Sequence, residues 1–146
     1  MKKIFLASLA LTTFAISIIL FQLSSCKKAD AQVVTPVSIE GLWVGTYTVN
    51  GQPSLGSQYF SFVIKPDGTI INDTKGSGKQ HLAIGTWSLA GNVLTSSFTC
   101  VYGTTANIGI AETSTATFDN QGTLTGTWSN VAPTIGSGTI TLIKVK

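Results

Sequence analysis

Apolar and polar residues alternate along most of the chain after residue 40. In Val93–Val101, for example, Leu94, Phe98 and Cys100 are separated by Thr, Ser and other small residues. A period of two is typical of a strand with one buried and one solvated face, and the region shows no helical stripe. We predict about eight strands, namely Leu42–Val49, Gln58–Lys65, Thr69–Asn72, Leu82–Leu89, Val93–Val101, Asn107–Phe118, Thr123–Ser129 and Thr139–Lys144.

Short turn motifs separate several of these strands. Pro66-Asp67-Gly68, Ala90-Gly91-Asn92 and Asn120-Gln121-Gly122 contain Gly and Asn, which supply the positive φ angles of tight hairpins. We read Gly76-Ser77-Gly78-Lys79 as a flexible hairpin loop. Sequential antiparallel strands bury one face and lose their edges by closing into an up-and-down barrel. A two-sheet sandwich is the alternative.

Strand parity sorts the side chains into two sets. The outward set is mostly Thr and Ser, which is typical of a hydrated outer surface. The inward set contains large aromatic rings, and an eight-stranded barrel either fills with side chains or holds one small ligand. We predict that the inward residues are Trp43, Tyr47, Phe60, Phe62, Ile64, Trp87, Leu89, Leu94, Phe98, Cys100, Leu124, Trp128, Ile140 and Leu142.

Aromatic rings and one acid are the candidate ligand contacts. Glu112 has the same parity as Ile110 and Ala116, which points its carboxylate into the barrel. An inward carboxylate is costly unless it is paired or near the mouth, and it would anchor the polar end of a ligand. Alternatively, a bulge turns Glu112 outward or it lies at the rim. The predicted ligand-binding residues are Trp43, Tyr47, Phe62, Trp87, Phe98, Glu112 and Trp128.

Residues 1–25 have the layout of an export signal. A basic start, Met1-Lys2-Lys3, precedes an uncharged, mostly apolar segment, Ile4–Leu20. This leader is also about long enough to remain as an uncleaved membrane anchor. The next residues, Leu23-Ser24-Ser25-Cys26, resemble the lipobox of bacterial lipoproteins. That resemblance implies cleavage before Cys26, acylation of Cys26 and attachment to a membrane through the acyl chains.

The lipoprotein resemblance also implies a location. The residue after Cys26 is Lys27 rather than Asp. By comparison with Gram-negative lipoproteins, this favours anchoring in the outer membrane, with the periplasmic or surface face left open. Residues 26–38 are then the lipidated Cys and a tether, and residues 39–146 are the barrel domain.

Three G-x-W motifs suggest a family for that domain. Gly41-Leu42-Trp43 resembles the G-x-W of lipocalins and their calycin relatives. In that family the Trp packs at the closed end of the barrel beneath a basic residue, which here would be Lys144. The resemblance implies a lipocalin-like barrel. The motif recurs at Gly85-Thr86-Trp87 and Gly126-Thr127-Trp128, where we expect each Gly to make room for a neighbour or a bend.

Avidins are a second comparison, because they also open with a G-x-W strand and carry several Trp residues. Their last strand is similar to Thr139–Lys146. Avidins use an Asp near the start of that strand for biotin, and Ile135-Gly136-Ser137-Gly138 contains no Asp. Biotin binding is therefore not expected.

Charge and composition exclude several functions. From residue 39 onward the chain has five Lys and five acids, so it offers no basic face to nucleic acid. His81 is the sole His; we place it at the edge of a solvated loop, and no G-x-S-x-G elbow accompanies it. We therefore predict no enzyme, no metal and no cofactor, and read Cys100 as a buried apolar filler.

Together these features predict an outer-membrane-anchored lipoprotein whose small barrel binds a small apolar ligand. The alternative is a structural or interaction lipoprotein with a barrel filled by side chains. That alternative predicts an apolar patch at one end, around Tyr102 and Gly103–Asn107, for a partner in the envelope.

Overall fold

The structure, a computed structural model, describes residues 37–146. The predicted signal peptide (1–25), Cys26 and nearly all of the tether lie outside the described residues. In the part that is described, no helix has the length and apolar character needed to cross a membrane.

Eight antiparallel strands close into one barrel in up-and-down order. Each strand pairs with its neighbours in sequence, and the first strand pairs with the last. This confirms the predicted all-β barrel over the two-sheet alternative. The strands are β1 (Gly41–Tyr47), β2 (Gln58–Ile64), β3 (Thr69–Gly76), β4 (Lys79–Ala90), β5 (Val93–Tyr102), β6 (Ala111–Phe118), β7 (Thr123–Asn130) and β8 (Ser137–Lys144), with one 3-10 turn at Pro53–Leu55.

Most connections between strands are tight. The predicted turns are confirmed, with positive φ at Gly68, Gly91 and Asn120. The β3–β4 connection, which we had read as a flexible loop, is a two-residue turn in which Ser77 and Gly78 have φ angles of 50° and 79°. This geometry matches the twist of the flanking strands, so β3 continues well beyond its predicted end at residue 72.

The predicted parity is confirmed for most of the barrel. Leu89 is the exception: it is 38% exposed, because the last three residues of β4 all lie beyond the core. Tyr47, Trp87 and Trp128 are partly buried and pack against the core. The predicted inward residues that are fully buried are Trp43, Phe60, Phe62, Ile64, Leu94, Phe98, Cys100, Leu124, Ile140 and Leu142.

Aromatic rings fill the middle of the barrel. The ring centroids of Phe60 and Phe62 lie 4.9 Å apart, and those of Phe62 and Phe98 lie 5.9 Å apart, both in edge-on contact. Trp43 and Phe62 are 0% exposed and Phe98 is 2% exposed. The rings of Trp43, Phe62 and Phe98 therefore touch protein on all sides and border no space that water could enter.

One end of the barrel is closed by the segment that precedes β1. Ile39 is buried, and its carbonyl accepts a hydrogen bond of 2.7 Å from Nε1 of Trp43. Lys144 lies across the same indole, with Nζ 5.7 Å from the ring centroid. The Lys144 ammonium also donates to the carbonyls of Ser38 and Glu40. We call this the closed end; it also carries the β2–β3, β4–β5 and β6–β7 turns.

Two glycines of the G-x-W motifs allow close contact between strands. A Cβ on Gly85 would lie 1.9 Å from the carbonyl oxygen of Ser97, and one on Gly126 would lie 2.0 Å from that of Thr115. No side chain fits at such distances. The absence of Cβ therefore lets the neighbouring backbones approach at these two points, as expected for a bend.

Candidate ligand-binding site

The opposite end of the barrel, which we call the open end, contains a cavity of about 130 Å³. It lies among the last residues of β1, β3, β5 and β7 and the first residues of β2, β4 and β6. The residues lining the cavity are Tyr47, Phe60, Thr74, His81, Cys100, Asn107, Ile110, Glu112, Trp128 and Asn130.

Three aromatic rings form one wall of the cavity. Tyr47 meets Trp128 edge-on with centroids 5.7 Å apart, and it meets Phe60 at 5.9 Å. The indole N–H of Trp128 donates to the carbonyl of Thr48 at 2.9 Å. A Cβ on Gly76 would lie 2.5 Å from the Tyr47 hydroxyl. Packing and hydrogen bonding thus hold both large rings in place before any ligand binds.

Glu112 supplies a carboxyl group to the cavity. It is the second residue of β6, and the register places it between Phe98 of β5 and Asn130 of β7. Its side chain faces the barrel near the mouth, in agreement with its parity. Burial raises the pKa of Glu112 to about 7, since the ionised form loses hydration there.

The charge of Glu112 also acts on two other groups in the cavity. Burial raises the pKa of the Tyr47 hydroxyl, and the Glu112 carboxylate raises it further. Burial also raises the pKa of the Cys100 thiol, and the charge of the Glu112 carboxylate adds to this effect. The Cys100 thiol donates a weak bond of 3.4 Å to the carbonyl of Tyr102. Tyr47 and Cys100 therefore stay protonated at neutral pH and offer hydrogen-bond donors.

His81 lies in β4 and faces the cavity, so its predicted placement in a solvated loop is wrong. The tight β3–β4 turn extends β4 to Lys79, and parity then aligns His81 with the inward residue Ala83. Its Nε2 atom is buried and has no hydrogen-bond partner among the described residues. A Cβ on Gly103 would lie 2.3 Å from Cδ2 of the imidazole, so the ring packs directly on that backbone.

The β5–β6 loop covers part of the open end. The β4–β5 register shifts between Leu82 and Ala83, which leaves Val101 as an extra residue in β5. The chain then folds back on Cys100. The backbone carbonyl of Cys100 accepts a hydrogen bond of 2.8 Å from the N–H of Gly109, and its backbone N–H donates one of 2.9 Å to the carbonyl of Ile110. This fold explains why β6 begins at residue 111 rather than at the predicted residue 107. Bulges of this kind often lie beside binding sites, where they redirect side chains.

The structure brings together three of the seven predicted ligand-binding residues. Tyr47, Glu112 and Trp128 line the cavity. Trp43, Phe62 and Phe98 belong to the packed core. Trp87 lies at the closed end, where its indole N–H donates to the carbonyl of Lys65 at 2.8 Å. The sequence reasoning missed His81, Thr74, Asn107 and Asn130. Parity continued one or two residues past the predicted strand ends would have found His81, Thr74 and Asn130.

The residues that line the cavity suit the binding of a small molecule. It combines aromatic faces, one carboxyl group and several uncharged hydrogen-bonding groups. Among the described residues, no three His, Cys, Asp or Glu side chains cluster closely enough to hold a metal ion. Comparison with protein-family models, curated protein sequences and solved structures gives no match.

Proposed function

We propose that the chain is an outer-membrane-anchored lipoprotein, lipocalin-like in its domain, whose barrel binds a small ligand at its open end. The observation that carries the proposal is the cavity beside Tyr47, Glu112 and Trp128. Concave sites with aromatic walls and a few convergent polar groups are typical of small-molecule binding. The contact between Trp43 and Lys144 at the closed end supports the lipocalin comparison.

The cavity volume restricts the ligand. Sites for drug-sized ligands usually have about 300–1,000 Å³, whereas a cavity of about 150 Å³ holds benzene. The open-end cavity has about 130 Å³. A ligand held inside it is therefore compact, and a long acyl chain does not fit. The polar groups in the lining further favour a ligand that carries at least one polar group.

Native mass spectrometry of the full chain, purified in mild detergent from its own envelope, tests this proposal. A ligand should appear as a reproducible added mass that the Trp128→Ala variant loses. Only the polypeptide and its acyl chains should be seen if the cavity is unused. The anchoring is tested in the same preparation, because Cys26→Ser should remove the acyl mass and leave the leader uncleaved, and both changes are visible in the mass.

The second candidate is an interaction lipoprotein with a filled barrel. The packed middle of the barrel favours it, and so do exposed apolar residues around the open end. Ile135 is 96% exposed, and Tyr102, Ile108 and Val131 are also exposed. An apolar rim of this kind is common at protein interfaces. Crosslinking on intact cells through a photoreactive residue at position 135 would capture such a partner, whereas the ligand proposal requires none.

A further inference from the structure

The carboxyl group of Glu112 has no opposite charge facing it from the described residues. Tyr47, His81 and Cys100 are the other titratable groups that line the cavity. An ionised carboxylate in such a place is costly unless a cation pairs with it. Of the five lysines of the described residues, Lys65, Lys144 and Lys146 lie at the closed end. Lys75 and Lys79 lie on the β3–β4 hairpin at the open end, where both are exposed and neither lines the cavity.

The walls of the cavity also suit a cation. Tyr47 and Trp128 present aromatic rings to the space that Glu112 borders. Aromatic faces attract ammonium groups, most strongly where water is excluded. His81 lines the same cavity, and its buried Nε2 has no hydrogen-bond partner among the described residues. An ammonium has three N–H donors, so it can pair with Glu112 and donate to further acceptors such as the hydroxyl of Thr74.

We infer that the open-end cavity takes a protonated primary amine on a short carbon skeleton, with Glu112 as its counter-ion and Tyr47 and Trp128 beside its carbons. This inference rests on the proposed ligand-binding function and names the class of ligand. The amine belongs either to a free small molecule or to a lysine side chain of a protein, since both present the same group to the cavity.

Amine binding of this kind depends on pH in a defined direction. With a pKa of about 7, roughly one-tenth of Glu112 is ionised at pH 6 and roughly nine-tenths at pH 8. The amine itself stays protonated over this range. Its affinity should therefore be about tenfold weaker at pH 6 than at pH 8, because only the ionised carboxylate pairs with it.

Three probes of similar size and different charge test the inference. Butylamine, 1-butanol and propionate are titrated calorimetrically into the full chain in detergent at pH 6 and pH 8. We expect butylamine to bind at least about tenfold more tightly than 1-butanol at pH 8, and propionate to bind most weakly. Glu112→Gln should abolish the preference and its pH dependence. Glu40→Gln, a matched change at the closed end, should leave both unchanged.

The remaining outcomes separate the inference from the function on which it rests. If 1-butanol bound as tightly as butylamine, or if the Glu112→Gln protein kept the preference for the amine, the amine would be overturned while a ligand site remained. Failure of all three probes, together with no co-purified mass, would overturn the ligand site itself. Circular dichroism of each variant confirms folding, and Glu112→Gln should fold at least as stably as wild type.

A second pair of probes distinguishes the two sources of the amine. Butylamine represents a free molecule, and lysine capped as its acetyl and methylamide derivative represents a side chain within a protein. Tighter binding of capped lysine assigns the site to a lysine of a partner that also contacts the apolar rim. Tighter binding of butylamine assigns it to a free amine. Either result supports the inference, and the absence of binding by both opposes it.

Discussion

The rings of Tyr47 and Trp128 meet edge-on with centroids 5.7 Å apart, although the two residues are 81 positions apart in sequence. β1 and β7 are not neighbours in the barrel; β8 lies between them. The contact crosses this strand because both residues stand at the open end and point inward. The two rings line the cavity that Glu112 also borders. Long-range placement of this kind creates the candidate site.

Glu112 should make the barrel less stable as the pH rises. Its pKa is about 7 in the folded protein and 4.5 in an unperturbed chain. The folded state therefore binds the proton more strongly, and stability decreases as the pH increases from 4.5 through 7. Above that range the ionised carboxylate lowers the free energy of unfolding by about 3 kcal/mol. Glu112→Gln should remove this dependence, so that the variant exceeds wild type in Tm at pH 8 and matches it near pH 4.5.

Thermal unfolding followed by circular dichroism at several pH values checks this prediction. Glu40→Gln serves as the control, because Glu40 lies at the closed end and is exposed. An equal pH dependence in wild type and Glu112→Gln would mean that Glu112 is solvated in the folded protein. The difference between the two curves isolates the contribution of Glu112, because every other ionisable group is the same in both proteins.

Trp128 and Trp87 should differ in their effect on ligand binding. Trp128 lines the cavity, whereas Trp87 lies at the closed end with its indole N–H on the carbonyl of Lys65. Trp128→Ala removes an aromatic face and should weaken butylamine binding about tenfold, equivalent to about 1.4 kcal/mol. Trp87→Ala should change the affinity less than about twofold. Calorimetry on the two variants measures the contrast, and equal losses would place the ligand elsewhere.

Gly126 should not tolerate a side chain. A Cβ there would lie 2.0 Å from the carbonyl oxygen of Thr115 and 2.5 Å from Cα of Ala116, so the backbone must move. We expect Gly126→Ala to destabilise the barrel by about 2 kcal/mol or more. Thr127→Ala, one residue along on the exposed face, should cost less than about 0.5 kcal/mol. Urea unfolding of both variants provides the measurement, and similar midpoints would contradict the close approach of β6 and β7.

Lys144 should contribute to stability through the closed end. Its ammonium lies over Trp43 and donates to the carbonyls of Ser38 and Glu40. Lys144→Met keeps the carbon chain but removes these interactions, and we expect a loss of about 1–2 kcal/mol. Lys146→Met provides a matched change at an exposed position. Comparable unfolding midpoints for the two variants would show that the contact adds nothing to stability.

Alternation in the sequence carried most of the information about the fold. The inward positions of Phe60, Phe62 and Leu94 follow from a period of two, because side chains on a strand point alternately to its two faces. Turn residues such as Gly68 and Asn120 predict strand ends close to those in the structure. The same rule placed Glu112 correctly on the inward face. Cys26 and its lipidation remain predictions, since they lie outside the described residues.

Parity failed where a strand was given the wrong end. His81 was assigned to a loop because Gly and Lys surround the β3–β4 connection, yet Ser77 and Gly78 make a tight turn and β4 includes His81. Leu89 has inward parity, but β4 extends past the core at that point. The His81 error arose because composition marks a turn without stating how few residues it uses. The Leu89 error arose because parity does not say how far a strand extends past the core.

The sequence by itself determined the number of strands, their order and the face on which most side chains lie, because these depend on local geometry and on the need to bury one face. Only the tertiary structure decided which inward residues pack together and which surround a cavity. That choice depends on the height of each residue along the barrel, and height is set by strand stagger, by the bulge at Val101 and by the folded β5–β6 loop. Phe62 and Trp128 are both inward aromatic residues; the first fills the core, and the second borders the cavity beside Glu112.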